Sequence, residues 1–159
     1  MAKAVSLFAL PDETVGEVVE LIAENLRPAD LAEIAAHLGE PPLEVLRASV
    51  AASTHAWVIL DRRGLPIGLF GAAPALVAGV GVPWMVGTSG ITREFVAVAR
   101  QTARYVEELH EAYPTLTNFI DARNDDAIDW LLRSGFHLID AAPRFGVERR
   151  PFLQFSRTR

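Results

Sequence analysis

The sequence predicts a single α/β (α+β) domain in which a β-sheet is flanked by helices, and three observations carry that expectation. Strand-like and helix-like apolar patterns alternate along the 159 residues, with no linker, repeat or low-complexity tract between them. A hairpin with its own turn signal lies near the middle of the chain. A long amphipathic helix, followed by strand, helix and strands, fills the last third. A chain of this size buries one core of its own.

Residues 5–10 are a short apolar run closed by Pro11, which reads as a buried strand. Asp12 is placed to cap a helix whose apolar positions Val15, Val18, Val19, Ile22 and Leu26 keep helical spacing, and Arg27-Pro28 breaks it. Asp30 with Glu33 reads as a capping box for a second helix carrying Leu31, Ile34, Ala35 and Leu38, stopped by Gly39. Pro41-Pro42 opens a third helix through Leu43, Leu46 and Val50. Residues 57–60, the turn Asp61-Arg62-Arg63-Gly64 and residues 66–70 read as strand, turn and strand. Residues 71–82, rich in Gly, Ala and Val, read equally as a loop or as more sheet. Trp84-Met85-Val86-Gly87 is a further strand. The most regular helix follows over residues 92–112, with Phe95, Val98, Ala99, Thr102, Val106 and Leu109 on its apolar face. Residues 116–121 are a strand, 125–134 a helix capped by Gly135, 136–140 a strand, 143–150 a loop and 152–155 a closing strand.

Composition narrows the function. Twenty acidic against fifteen basic residues give a net charge of −5, so neither a nucleic acid nor an anionic membrane is an expected partner. There is no cysteine, which removes disulfides, thiolate metal sites and a Cys nucleophile. No apolar run reaches the roughly 18 residues of a spanning helix, and Met1 to Phe8 makes a poor signal peptide. The protein is expected not to be secreted, and to work in the cytosol or inside a particle assembled there. The acidic run Asp121, Asp125, Asp126 and Asp129 reads as a strand end and a helix first turn, not as a metal site. Arg149, Arg150 and Arg157, with Phe145, Phe152 and Phe155, read either as a solvated end over inward rings or as a docking surface.

The segment Asn124-Asp125-Asp126-Ala127-Ile128-Asp129-Trp130-Leu131-Leu132-Arg133-Ser134-Gly135-Phe136 resembles the late motif N-x2-A-x7-G-F of the GNAT N-acetyltransferase superfamily. Asp61, Gly64 and Gly68 are similar to the texture of its central hairpin. The resemblance follows the element order over nearly the whole chain. It implies a mixed, mostly antiparallel central sheet flanked by helices, with acetyl-CoA as cofactor. More narrowly, Trp57-Val58, Gly68-Leu69-Phe70-Gly71, Pro83 to Thr88, Tyr113 to Asn118, Asp121 to Asn124, Trp130-Leu131 and Pro151 to Phe155 resemble the internal virion protein A family of short-tailed bacteriophages. That implies a head-associated role in assembly or genome ejection, with other phage virion proteins as partners, in the host cytoplasm or the virion interior.

The superfamily resemblance also assigns residues. Met85, Val86, Gly87 and Thr88 would form the splayed strand that pairs with the pantetheine arm. Thr88, Ser89, Gly90, Ile91, Thr92 and Arg93 would hold the pyrophosphate at a helix N-terminus, although the usual [QR]-x-x-G-x-[GA] is reduced to one glycine. Thr88, Ser89 or Thr92 reads as well as a plain N-cap. Asn124 would bond the arm, or cap the helix that follows. The tyrosine that normally protonates the departing thiolate is replaced by Leu131, which has no proton to give. Among His37, His55, His110 and His137, His55 is the candidate base, because it opens a strand at the rim of the presumed cleft. Two functions remain: a virion protein with a vestigial acyl-CoA pocket, which the missing tyrosine and the reduced loop favour, and an active N-acetyltransferase.

Overall fold

In a computed structural model, which describes residues 2–159, the chain opens with β1 (Lys3–Ser6). The strand is shorter than the apolar run because Ser6 accepts a hydrogen bond from the Phe8 N–H and starts a one-turn helix, Leu7–Ala9. That turn drops Leu7 into the core and leaves Phe8 outside. Three helices follow, α1 (Asp12–Glu24), α2 (Pro28–His37) and α3 (Pro42–Ala52). Pro28 and Pro42 each stand in a first turn, where a missing N–H removes no helix bond. Asp30 and Glu33 make no capping box. They lie inside α2 and turn inward, because Pro28 starts the helix two residues before Asp30.

The hairpin is β2 (His55–Leu60) and β3 (Pro66–Pro74), and β4 (Val80–Gly87) continues the meander. Residues 71–82 are therefore sheet on both sides of a short turn closed by Ala75 N–H on Val80 O at 2.9 Å. Small residues are required here. A Cβ on Gly71 would stand 2.3 Å from His55 O, on the neighbouring strand. Gly71→Ala is accordingly expected to cost about 1–3 kcal/mol, read as a lower urea midpoint at unchanged slope. A midpoint equal to wild type would refute that close approach.

Thr88 caps a short helix, α4 (Ser89–Arg93), and after a break at Glu94 comes α5 (Phe95–Ala112). The expected face of α5 is the buried one, with Tyr105 and His110 added. Then come β5 (Thr115–Asp121), α6 (Asp125–Arg133), β6 (His137–Phe145) and β7 (Arg150–Thr158). The loop expected over residues 143–150 is a turn at residues 146–149, with Gly146 and Arg149 at positive φ, while residues 143–145 and Arg150 belong to the strands on either side. Val147 and Glu148 N–H at that tip bond the carbonyls of His37 and Ala36 and so cap α2. Phe152 and Phe155 are buried and Phe145 stacks on Phe119, so the C-terminal rings point inward and Arg149 and Arg150 stay exposed.

The seven strands run β1-β2-β3-β4-β5-β7-β6, antiparallel except for β4 beside β5. Helices α1 to α3 cover one face over Leu7, Ile22, Leu46, Val58 and Leu69. Helices α5 and α6 cover the other over Phe70, Val98, Leu109, Leu116 and Trp130. Trp57 and Trp130 are core residues, whereas Trp84 is only half-buried. Among the described residues no helix is long and apolar enough to cross a membrane.

Candidate functional site

The parallel pairing of β4 with β5 is two residues deep, Val80 with Thr115 and Gly81 with Leu116, and then the strands part. Asn118 Nδ2 reaches across to Pro83 O at 2.8 Å, and beyond that the sheet is open. A cavity of about 460 Å³ runs through the gap. It is lined from α2 and α3 on one face and from α5 and α6 on the other. This explains the burial of β4. A strand central to a sheet and covered on both faces should be closed to solvent, as β3 is. Val82 to Val86 are instead half-buried.

The ladder fixes which backbone groups face the gap. Thr88 N–H bonds Ile67 O at 2.9 Å, so alternate residues back from Thr88 pair with β3 while Pro83, Met85 and Gly87 face away from it. Pro83 O is taken by Asn118. Gly87 N–H donates to Asp30 Oδ2 at 2.9 Å, and Gly87 O accepts from Arg27 N–H at 2.9 Å. Met85 lies between them, and its N–H and C=O have no partner among the described residues. One peptide edge is thus left free inside the gap.

The wide end of the gap is filled by a buried polar network that α2 lowers into it. Arg27 grips Asp30 with two hydrogen bonds, Nε to Oδ2 at 3.0 Å and Nη2 to Oδ1 at 2.8 Å. Its Nη2 also donates to Asn124 Oδ1 at 3.2 Å, and Nη1 lies 3.5 Å from Asp126. Asn124 Nδ2 in turn faces Asp30 Oδ1 at 3.2 Å and Glu33 Oε1 at 3.4 Å. Only this orientation of the amide works, because guanidinium donates and carboxylates accept. Burial opposes the Arg27 charge, yet the bonds to Asp30 outweigh it and hold its pKa above the ordinary value.

Glu33 bridges the other side of the gap, with Oε1 accepting from Asp121 N–H of β5 at 2.9 Å. Burial pushes its carboxyl up to about 7, the nearby Asp30 charge adds to the rise, and the Asp121 N–H opposes it. Asp121 itself is held low by Arg123, whose Nη2 lies 2.7 Å from its Oδ2. In the sequence, Glu33 reads as half of a capping box. The only signal for its real place is that Asp30 and Glu33, three apart, share one helical face.

The residues assigned from the sequence divide into groups. Met85, Val86, Gly87, Ile91, Thr92 and Asn124 line the cavity. Ser89, Thr92 and Arg93 line a second, shallower groove with Arg27, Pro28 and Asp126. Thr88 is the N-cap of α4, its Oγ1 accepting from Gly90 N–H at 3.1 Å, so that amide is spoken for. Gly90 and Gly87 serve packing: a Cβ on either would strike Ile67 or Ile91 within 2.7 Å. Asn124 occupies the N-cap position of α6, but its side chain goes to the network and not to the helix. Leu131 is buried on the α6 wall. His55 is away from the cavity, its ring against Trp57 and Tyr113 and its Nδ1 2.8 Å from Thr54 Oγ1. Among the described residues no group of three or more His, Asp or Glu is gathered for a metal ion.

By sequence, no protein-family model and no curated protein matches the chain. By structure the match is extensive. The ribosomal-protein-S18-alanine N-acetyltransferase of Escherichia coli superposes with a TM-score of 0.70 at 13% identity, over 99% of this chain and 94% of that one. A GCN5-related N-acetyltransferase of Kribbella flavida gives 0.65 at 15%, over 99% and 98%. A chain of the NatC complex solved with a Gag peptide and CoA gives 0.71 at 12%, over 99% and 98%. The chain has the GNAT fold, a mixed and mostly antiparallel sheet flanked by helices.

Proposed function

We propose that this protein is an acetyl-CoA-dependent N-acetyltransferase in which Glu33 accepts the proton of the acceptor amine. The observation that carries this reading is the cavity that crosses the sheet between β4 and β5, with a carboxyl of raised pKa at the crossing. The two halves of such a cavity let donor and acceptor meet from opposite faces. The residues fit the donor in that the Met85 edge is free to pair with an amide-bearing arm, and the α5–α6 side of the cavity is apolar. At the outer end Ser89, Thr92 and Arg93 face the second groove, where two hydroxyls and a guanidinium suit phosphate oxygens.

When bound, acetyl-CoA supplies a thioester carbonyl open to attack by an amine. Glu33 is suited to the proton transfer because its pKa near neutrality lets it take a proton and give it up again. Asp121 N–H and Asn124 Nδ2 fix the Glu33 carboxyl, and Arg27 with Asp30 fixes Asn124. Leu131 keeps water from the α6 wall and contributes no proton.

The virion role implied by the resemblance to internal virion protein A draws no support from the fold or from the proteins that share it. Neither do phage partners or a place inside a virion. Acetyl transfer is therefore the reading preferred here, the reverse of the order the sequence suggested.

Acetyl-CoA titration tests the donor half. Binding at about 100 times Kd should stabilise the fold by about 2.7 kcal/mol, seen as a rise in Tm. Arg93→Ala, an exposed change, should shrink that rise without lowering the Tm of the free protein. No shift at millimolar acetyl-CoA would sink the reading.

A further inference from the structure

We propose that the acceptor is a small aromatic monoamine, seated between Trp84 and Phe119 on the α2–α3 face of the sheet with its amino group at Glu33. The proposal rests on the acetyltransferase reading above and narrows its substrate. Trp84 and Phe119 stand on the two strands that part, and both are half-buried at the middle of the sheet because they border the cavity. Neither ring is free to swing. Trp84 Nε1 donates to Ser53 Oγ at 2.8 Å, and Phe119 stacks on Phe145 with centroids 4.6 Å apart. Two held rings, one on each of the strands that flank the gap, give it aromatic lining from both sides, which favours a ring as the occupant.

The opposite wall leaves room for one. Where α3 faces the cavity, Ala48, Ser49 and Ala52 are small side chains, set beside the larger Val45 and Leu46 one turn earlier. Ile34 and His37 of α2 close the side, and burial lowers the His37 pKa, which favours the neutral ring. The hairpin tip that caps α2 holds this side shut.

Charge sets the number of amino groups. Among the described residues, the carboxyls that line the cavity are Asp30, Glu33 and Glu40 on the α2 side and Asp126 on α6, which is exposed and lies 3.5 Å from Arg27 Nη1. Asp30 is consumed by Arg27, Asn124 and Gly87. Glu40 is exposed at the rim. One carboxyl, Glu33, remains within, and it matches one amine. A polyamine or a basic peptide would bring further charges into the slot, where no second unpaired carboxyl is buried to meet them, so each would lose water without gaining a partner.

The test uses the full chain with phenethylamine and spermidine as probes, binding being followed by calorimetry and by intrinsic tryptophan fluorescence, with Trp84→Phe to identify the Trp84 share. Phenethylamine should bind at least tenfold more tightly than spermidine. Ser49→Leu, which fills the slot from α3, should weaken phenethylamine at least tenfold and leave the acetyl-CoA thermal shift unchanged, while Ser49→Ala keeps both. Spermidine binding as tightly as phenethylamine, or Ser49→Leu binding phenethylamine as wild type does, would overturn the proposal. Acetyl-CoA binding with transfer to spermidine alone would overturn it while sparing the acetyltransferase reading. Phenethylamine binding without any acetyl-CoA binding would support the slot and defeat that reading.

Discussion

Asp30→Ala is expected to lower the stability of the fold by about 3–5 kcal/mol, the usual result of removing one partner from a buried ion pair. Asp30 is 3% exposed, and its two oxygens accept from Arg27, Asn124 and the Gly87 N–H. The alanine would leave a guanidinium facing an apolar gap and a central strand with an unpaired amide. The measurement is equilibrium urea unfolding. A companion variant with Arg27→Met and Asp30→Leu should lose much less than the sum of the two single changes, because it removes both charges together. A loss below about 1 kcal/mol for Asp30→Ala would mean that water reaches the network, and that the wide end of the gap is open.

Glu33→Gln has the larger consequence for activity. The amide keeps an oxygen for the Asp121 N–H but cannot take a proton, so transfer should fall by about 10²-fold or more. The acetyl-CoA thermal shift should survive. Wild-type kcat/KM should rise with pH through about 7, as Glu33 ionises, and the variant should lack that step. Stability should move the opposite way. The folded pKa is raised, so the folded state holds its proton after the unfolded state has released it. Glu33 therefore favours folding below about pH 4.5, and this contribution is lost between about pH 4.5 and 7. A rise of that size corresponds to roughly 3 kcal/mol. Relative to wild type, the glutamine variant should gain stability across that window. A wild-type protein whose stability and rate are both flat from pH 5 to 8 would remove Glu33 from the mechanism.

The sequence by itself determined the element order, the fold class and the packing faces of the helices. These follow from local causes: apolar spacing along α1 and α5, prolines that open α2 and α3, and a turn at Asp61 to Gly64 that joins adjacent strands. Met85, Gly87 and Asn124, which the resemblance assigns to a cofactor pocket, line the cavity at the gap. Where the structure departs from these expectations, either a local turn or a distant pairing is the cause. The run 5–10 ends as a strand where Ser6 turns it, and the expected loop over 143–150 shrinks to the turn 146–149 because β7 pairs with β6 on either side of it. The Asp30–Glu33 spacing that suggests a cap on paper points into the sheet because Pro28 begins the helix earlier. Glu33 was invisible as a base for the same reason. Its pKa depends on burial beside an Asp121 N–H 88 positions away, and its neighbour Asp30 meets Asn124 across 94. The gap itself is a matter of two strands that stop pairing after Gly81 and Leu116, and strand pairing is a property of both partners at once. Only the tertiary structure brings those partners together, because desolvation and backbone pairing act through space and leave no spacing in the chain to read.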